Sequence, residues 1–372
     1  MAWNGIDPRG TWRVARWRRS AAAGIVLLLA GCASAHERLD ALLGPMRGAE
    51  APGVAVMVIR NGLVVYSAGI GLADLERRVP IDTKTAFDIA SVSKQFTAML
   101  AMILHQEGRL DYDAPVVRFL PELARFGGRM TVRHLLTHTS GLPDYYEALA
   151  GAAAPGACVG TGAGLAFLAR NGAAAFAPGE RFEYSDVGYE MLSLILAKAA
   201  GEPFADLLRE RIFEPLNMAH TRLRDSPEVQ VPNRAQGYIL RREGFVGASP
   251  HPLDCLAGSG AINTTLDDLY LWDRALDSES LVQRATIDEA LRPMPLDDAS
   301  LSPYAFGWFL KEDHGHRRLE HPGSWQGYQS FILRYPNDGF SVILLANRSD
   351  LDLADLAARI VRIYTSSDGT PY

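Results

Sequence analysis

The chain has 372 residues, is 48% hydrophobic and 22% charged, and carries a formal net charge of −6. These values fit an ordinary soluble globular enzyme with a sizeable core, and they argue against a fibrous or disordered chain. The acidic balance, with no basic run beyond the N-terminal region, argues against nucleic acid as a partner.

The N-terminal region reads as an export signal. Arg9, Arg13, Arg16, Arg18 and Arg19 precede an apolar run over 21–30, and Leu29-Ala30-Gly31-Cys32 follows. The run is too short to span a bilayer convincingly. Its ending resembles a bacterial lipobox, which implies removal of residues 1–31 and lipidation of Cys32. A periplasmic lipoprotein held to the membrane by that lipid is expected, with neutral Ala33 and Ser34 favouring the outer membrane. Residues 1–31 carry five arginines and Asp7, a net +4, so the remaining chain stands at −10. Cys158 and Cys255 then remain, and in an oxidising compartment they could pair. Both lie in Gly/Pro-rich loops, which leaves their geometry open. Neither has a basic neighbour in sequence, so no catalytic thiol is expected.

Residues 36–43 read as a short amphipathic helix. Residues 54–60 and 64–68 are strand-like, and the Asn61-Gly62 between them signals a tight hairpin. A third strand-like run, 86–90, leads into Ser91-Val92-Ser93-Lys94. The amphipathic run 95–107 follows. If it is helical, Ser91 lies in its first turn, and Ser91 and Lys94 share a face. The helix N-terminus adds free N–H groups beside the serine. A hydroxyl, an amine able to take its proton and a place for an oxyanion make a serine nucleophile. Only four lysines occur in the chain, and only Lys94 has a serine three residues before it.

Further helical periodicity covers 187–200, 204–210 and 266–276, while 148–164 reads as an irregular loop. Strand-like runs return at 304–311, 329–335 and 340–346, with Pro336-Asn337-Asp338-Gly339 as a turn. An amphipathic helix over 351–364 closes the chain. Strands at both ends with helices between them predict an α/β fold: one antiparallel sheet built from both chain ends, flanked by helices, plus an inserted all-helical lobe. The expected domain covers 32–366, with the α/β lobe at about 36–90 and 302–366, the helical lobe at about 91–301 and a tail at 367–372. A crevice between the lobes is a natural ligand site.

Four ordered segments resemble penicillin-recognising serine hydrolases, the group of class C β-lactamases, D,D-carboxypeptidases and related esterases. Phe87-Asp88-Ile89-Ala90-Ser91-Val92-Ser93-Lys94 is similar to the nucleophile motif. Leu135-Leu136-Thr137-His138-Thr139-Ser140-Gly141-Leu142 resembles a hallmark of the group. Tyr184-Ser185-Asp186 stands where the group has Tyr-x-Asn, and His321-Pro322-Gly323 where it has Lys-Thr-Gly or His-Thr-Gly. The resemblance spans about 45–350 and implies the β-lactamase-like fold and an acyl-enzyme mechanism without metal or other cofactor.

It also implies roles. Ser91 is the nucleophile, and Lys94 holds it and helps move its proton. Tyr184 is the partner base or acid, its phenol pKa lowered by the nearby ammonium. The N–H groups of Ser91 and Ser324 form the oxyanion hole. His321 lines the pocket opposite Tyr184, contacting a substrate carboxylate or relaying a proton, and Gly323 supports it. Whether Lys94 or Tyr184 is the base stays open.

Two departures matter. Asp186 replaces asparagine; a carboxylate only accepts hydrogen bonds, and it favours the charged form of Lys94. Asp186 also suits a helix N-cap for the run from Val187. Pro322 replaces threonine and removes a hydroxyl and an N–H. Both point away from a potent β-lactamase, toward an ester or a D-amino-acid-type amide as substrate. The substrate is a small or peptidoglycan-derived molecule. The alternative is a non-catalytic cell-wall or penicillin-binding sensor in which Asp186 and Pro322 mark lost machinery. His134 and His138 have a zinc-helix spacing but lack the following glutamate and a third ligand, so they read as structural. Gly258-Ser259-Gly260 reads as backbone packing, and Trp308, Trp325 and Tyr328 as core or pocket wall.

Overall fold

The computed structural model describes residues 35–47, 50–154 and 156–365. The expected leader and Cys32 lie outside these residues. The chain divides into two compact units, Met1–Pro45 and Met46–Tyr372. Within the first, 35–43 is helical. All that follows concerns the second.

Its centre is a seven-stranded antiparallel sheet. The strands are β1 (Val54–Arg60), β2 (Leu63–Ile70), β3 (Tyr304–Ala305), β4 (Trp308–Asp313), β5 (His316–Trp325), β6 (Tyr328–Tyr335) and β7 (Phe340–Ala346). Their order is β3-β4-β5-β6-β7-β1-β2, so the two ends of the domain meet where Val54 pairs with Ala346. The β1–β2 hairpin turns at Asn61 and Gly62, both left-handed (φ 49° and 76°), the turn type that matches strand twist. Every residue of β7 and all of β1 but Arg60 are buried. Neighbouring strand residues face opposite sides, so both faces of the sheet are covered at its middle.

Four helices matter below: α1 (Lys94–Gln106), α2 (Asp186–Ala200), α3 (Leu266–Leu276) and α4 (Leu353–Tyr364). Helix α4 packs on β6 and β7, and α3 on β7 and β1. Helix α1, buried from Lys94 to Leu104, is the spine on which α2 packs.

Three expectations need correction. The inserted lobe is not all helical. Phe87–Asp88 pairs with Ile262–Thr264, which pairs with Arg222–Leu223, and Tyr238–Arg241 forms a hairpin with Gly244–Gly247. These short strands satisfy backbone groups that helices cannot reach. The segment 148–164 is not one irregular loop, because helices Tyr146–Ala152 and Thr161–Arg170 enter it from both sides. Strand β5 was not expected, since His, Arg, Glu, Pro and Gly hide its alternation. Pairing of β4 with β5 ends at Phe309–Glu320, while β5 continues to Trp325 on β6 alone. Pro322 therefore sits where one side of the strand has no ladder neighbour, the setting in which a strand tolerates proline.

Candidate active site

Ser91 lies in a 3-10 turn, Ala90–Ser93, that runs directly into α1. Ala90 before it is left-handed (φ 47°), unusual for a residue with a Cβ. The turn is tied down from behind. Buried Asp88 accepts the Ala90 N–H at 2.9 Å, and Ser330 donates its hydroxyl to the Ile89 carbonyl at 2.7 Å. Strained backbone held by its surroundings is a frequent property of functional positions. The first N–H groups of such a turn have no acceptor inside it, so the Ser91 N–H is free to serve a ligand.

Lys94 is fully buried, and its ammonium has three partners. Nζ lies 3.2 Å from Ser91 Oγ, 3.0 Å from the Ser259 carbonyl and in an ion pair with Asp186. It also stands 5.1 Å from the centre of the Tyr184 ring. Burial pulls its pKa down, but Asp186 and then Tyr184 more than offset this, and the net shift is upward. Lys94 is therefore a charged ammonium at rest.

Tyr184 is near both Ser91 and Lys94. Its phenol is held above its ordinary range, contrary to the lowering expected from the ammonium. Burial of the hydroxyl end outweighs the pull of Lys94, although the ring is 36% exposed. The segment carrying Tyr184 is clamped by buried His138. The His138 carbonyl accepts the Glu183 N–H at 2.9 Å, and its Nδ1 accepts the Ser185 N–H at 3.1 Å. His134 caps Thr131 instead, 3.1 Å from its N–H.

Asp186 is not the N-cap of α2. Ser185 takes that place, accepting the Gly188 N–H, and Asp186 is the first helical residue, which turns its carboxylate onto Lys94.

His321 does not line the pocket. It is fully buried, with Nδ1 2.7 Å from the Pro322 carbonyl and Nε2 2.8 Å from the Tyr304 hydroxyl. A carbonyl only accepts, so Nδ1 carries the proton and Nε2 accepts from Tyr304. Burial first, then the charge of Lys94, pushes its pKa down to about 3. A neutral imidazole with both nitrogens engaged neither contacts a substrate carboxylate nor relays a proton. It fixes the middle of β5 against Tyr304.

The neighbouring positions of β5 do face the nucleophile. Pro322, Gly323 and Ser324 line a groove with Ser91 and Tyr184. A Cβ on Gly323 would collide with the Ile89 carbonyl and Ser330 Oγ and lie 3.2 Å from the Ser91 nitrogen. Only glycine lets the strand approach the turn this closely.

On the other side of Ser91 is a small cleft lined by Tyr146, Asp186, Asp254, Ser259 and Trp325 among others. Trp308 and Tyr328 are buried. Sequence reading missed the support under this cleft. Gly258-Ser259-Gly260 does more than pack: the Ser259 carbonyl holds Lys94, and its hydroxyl lies 3.1 Å from the Tyr146 hydroxyl. Fully buried Glu190 accepts the Ser259 N–H and hydroxyl and the Thr161 hydroxyl. Burial raises the Glu190 carboxyl to about 7. A carboxylate one helical turn past Asp186, inside the apolar run of α2, was the signal available. Cys158 and Cys255 form a disulfide, Cα–Cα 5.6 Å, that ties the loop before Ser259 to the 156–160 segment.

The profile of the family described as Beta-lactamase matches residues 39–365. Penicillin-binding protein 4* of Bacillus subtilis is 31% identical over 309 residues, covering 79% of this chain and 68% of that protein. A D-aminopeptidase of Gluconobacter oxydans is 29% identical over 331 residues, covering 86% of this chain and 60% of that one. The chain thus spans 60% to 68% of the length of these curated relatives. Among solved structures, the octameric penicillin-binding protein homologue of Pyrococcus abyssi superposes with a TM-score of 0.74 at 28% identity, over 87% of this chain and 77% of that one. A D-amino acid amidase of Ochrobactrum anthropi shares the fold, with a TM-score of 0.74 at 24% identity over 90% and 98% of the two chains. A chain matched over nearly its whole described length, with a serine, a lysine and a tyrosine gathered at one helix N-terminus, belongs to the beta-lactamase family and is a serine hydrolase.

Proposed function

We propose that this hydrolase works through an acyl-enzyme on Ser91 and cleaves an ester or a D-amino-acid-type amide of a small or peptidoglycan-derived molecule. The observation that carries this reading is the placement of Lys94 Nζ 3.2 Å from Ser91 Oγ while Asp186 and the Ser259 carbonyl hold the ammonium. Ser91 Oγ bonds to the substrate carbonyl carbon, and its proton passes through Tyr184 or Lys94 to the leaving amine or alcohol as the C–N or C–O bond breaks. Water then takes the acyl group and returns a proton to Ser91. The N–H groups of Ser91 and Ser324 hold the oxyanion. Lys94 keeps its positive charge, so Tyr184 is the better proton carrier, and the ammonium stabilises the phenolate as it forms. The Gluconobacter oxydans D-aminopeptidase among the relatives supports the amide class.

Export and lipid anchoring at Cys32 belong to the same proposal. Their support is the basic run, the apolar run and Leu29-Ala30-Gly31-Cys32. Among the described residues no helix is long and apolar enough to cross a membrane.

Labelling with a fluorophosphonate tests the core of the reading. The protein should label and the Ser91→Ala variant should not, with hydrolysis of p-nitrophenyl acetate falling at least ~10³-fold in the variant. Label that survives the substitution removes Ser91 from its role.

A further inference from the structure

Two recesses meet at Ser91, and neither is lined by an arginine, lysine or histidine among the described residues. Lys94 lies buried behind the serine with its ammonium committed to Asp186, Ser91 and Ser259. His321 is turned into the interior between Tyr304 and the Pro322 carbonyl. A substrate carboxylate beside the scissile bond would therefore meet no cationic partner and would lose its hydration uncompensated.

The cleft offers the opposite charge. Asp254 lines it across from Ser91 and is held in place from its own side: Oδ1 accepts the Trp325 indole N–H at 2.8 Å, and Oδ2 accepts the His251 backbone N–H at 2.9 Å. Each oxygen keeps a lone pair for a ligand. Asp186 in the same cleft is neutralised by Lys94, whereas Asp254 has no cationic partner among the described residues. Arg234, on the Asp88 side, is spent on the Asn263 side-chain oxygen at 2.7 Å, on Asp88 and on the face of Tyr328. The wider groove also holds Asp350, paired with Arg348, and Asp352, which caps α4.

We propose that Asp254 is a specificity-determining residue that receives a substrate ammonium, so that the enzyme acts on amides or esters of amino acids with a free amino group and not on acyl donors bearing a carboxylate there. This rests on the Ser91 hydrolase reading and goes beyond it by fixing the charge of the substrate. Leu253, Leu256 and Trp325 give the side chain of such an amino acid an apolar wall.

The test uses the p-nitroanilides of D-alanine and of its N-acetyl and N-succinyl derivatives, which share one leaving group. The native protein should favour the free amine by ~10-fold or more in kcat/KM over the N-acetyl compound, with the succinyl compound slowest. In Asp254→Asn the ratio of free amine to N-acetyl should fall ~10-fold, and Asp254→Glu should recover part of it. A ratio is indifferent to how much of a variant is folded. Equal or preferred turnover of the acylated compounds by the native protein overturns the proposal, and so does a ratio that survives Asp254→Asn. Fluorophosphonate labelling separates the failures. Labelled protein without amine preference sinks the role of Asp254 alone, while unlabelled protein sinks the hydrolase reading beneath it.

Discussion

The two walls around Ser91 are built on different principles. The sheet wall, Pro322–Ser324 on β5, works through backbone and through space left empty. The helical wall, made of Lys94, Asp186, Glu190 and the Ser259 turn, works through charge held in buried hydrogen bonds. The sheet wall should therefore be sensitive to volume and indifferent to charge, and the helical wall the reverse.

The largest effect is expected on the sheet wall. In Gly323→Val a branched side chain must displace the Ile89 carbonyl or the Ser91 nitrogen. Misplacing the nucleophile by an ångström costs ~10²-fold, so kcat/KM should fall at least that far with a pH profile of unchanged shape. A profile that moved would mean that β5 also tunes charge. Asp186→Asn probes the helical wall with almost no change in volume. Removing the carboxylate takes away the largest influence that raises Lys94. The amine then loses its proton at lower pH, so the alkaline fall of kcat/KM, where Lys94 can no longer stabilise the phenolate, should move toward neutrality, with a loss of ~10-fold at its plateau. An unmoved profile would mean that the ion pair only positions Ser91.

The smallest effect is one of stability. Burial keeps His321 neutral, pushed down to about 3, and His138 also lies well below the ordinary range. Between that value and about pH 6.5 the unfolded chain binds protons that the folded one refuses, so stability falls as pH falls through this window. For His321 the slope approaches about 1.4 kcal/mol per pH unit, and chemical denaturation at pH 7 and pH 5 measures it. His321→Gln should flatten the dependence. A dependence equal to that of the native protein would mean that His321 titrates freely.

The same contrast explains what the sequence disclosed. Ser91 and Lys94 were legible because a spacing of three fixes a shared face whatever surrounds it. The hairpin at Asn61-Gly62 and helix α3 were legible because local pattern dictates them. His321 was misplaced because β5 lacks an alternating pattern, and without its register the inward turn of that imidazole cannot be seen. The direction of the Tyr184 shift depended on burial, a property of the packed molecule. Glu190, Ser259 and Asp254 come to Ser91 from positions 99 to 168 residues away along the chain, and no local signal marks them as neighbours.

Strand β1 sits between β2 and β7, its first residue opposite Ala346. During synthesis this apolar strand exists long before its second neighbour does. Until the residues of β7 have left the ribosome, β1 and β2 form a lone hairpin, marginal in water, with one edge open to any passing strand. A strand buried but for Arg60 in the finished enzyme is thus an exposed edge for most of the life of the nascent chain. A truncation anywhere before residue 340 should leave an aggregating product and not a smaller enzyme.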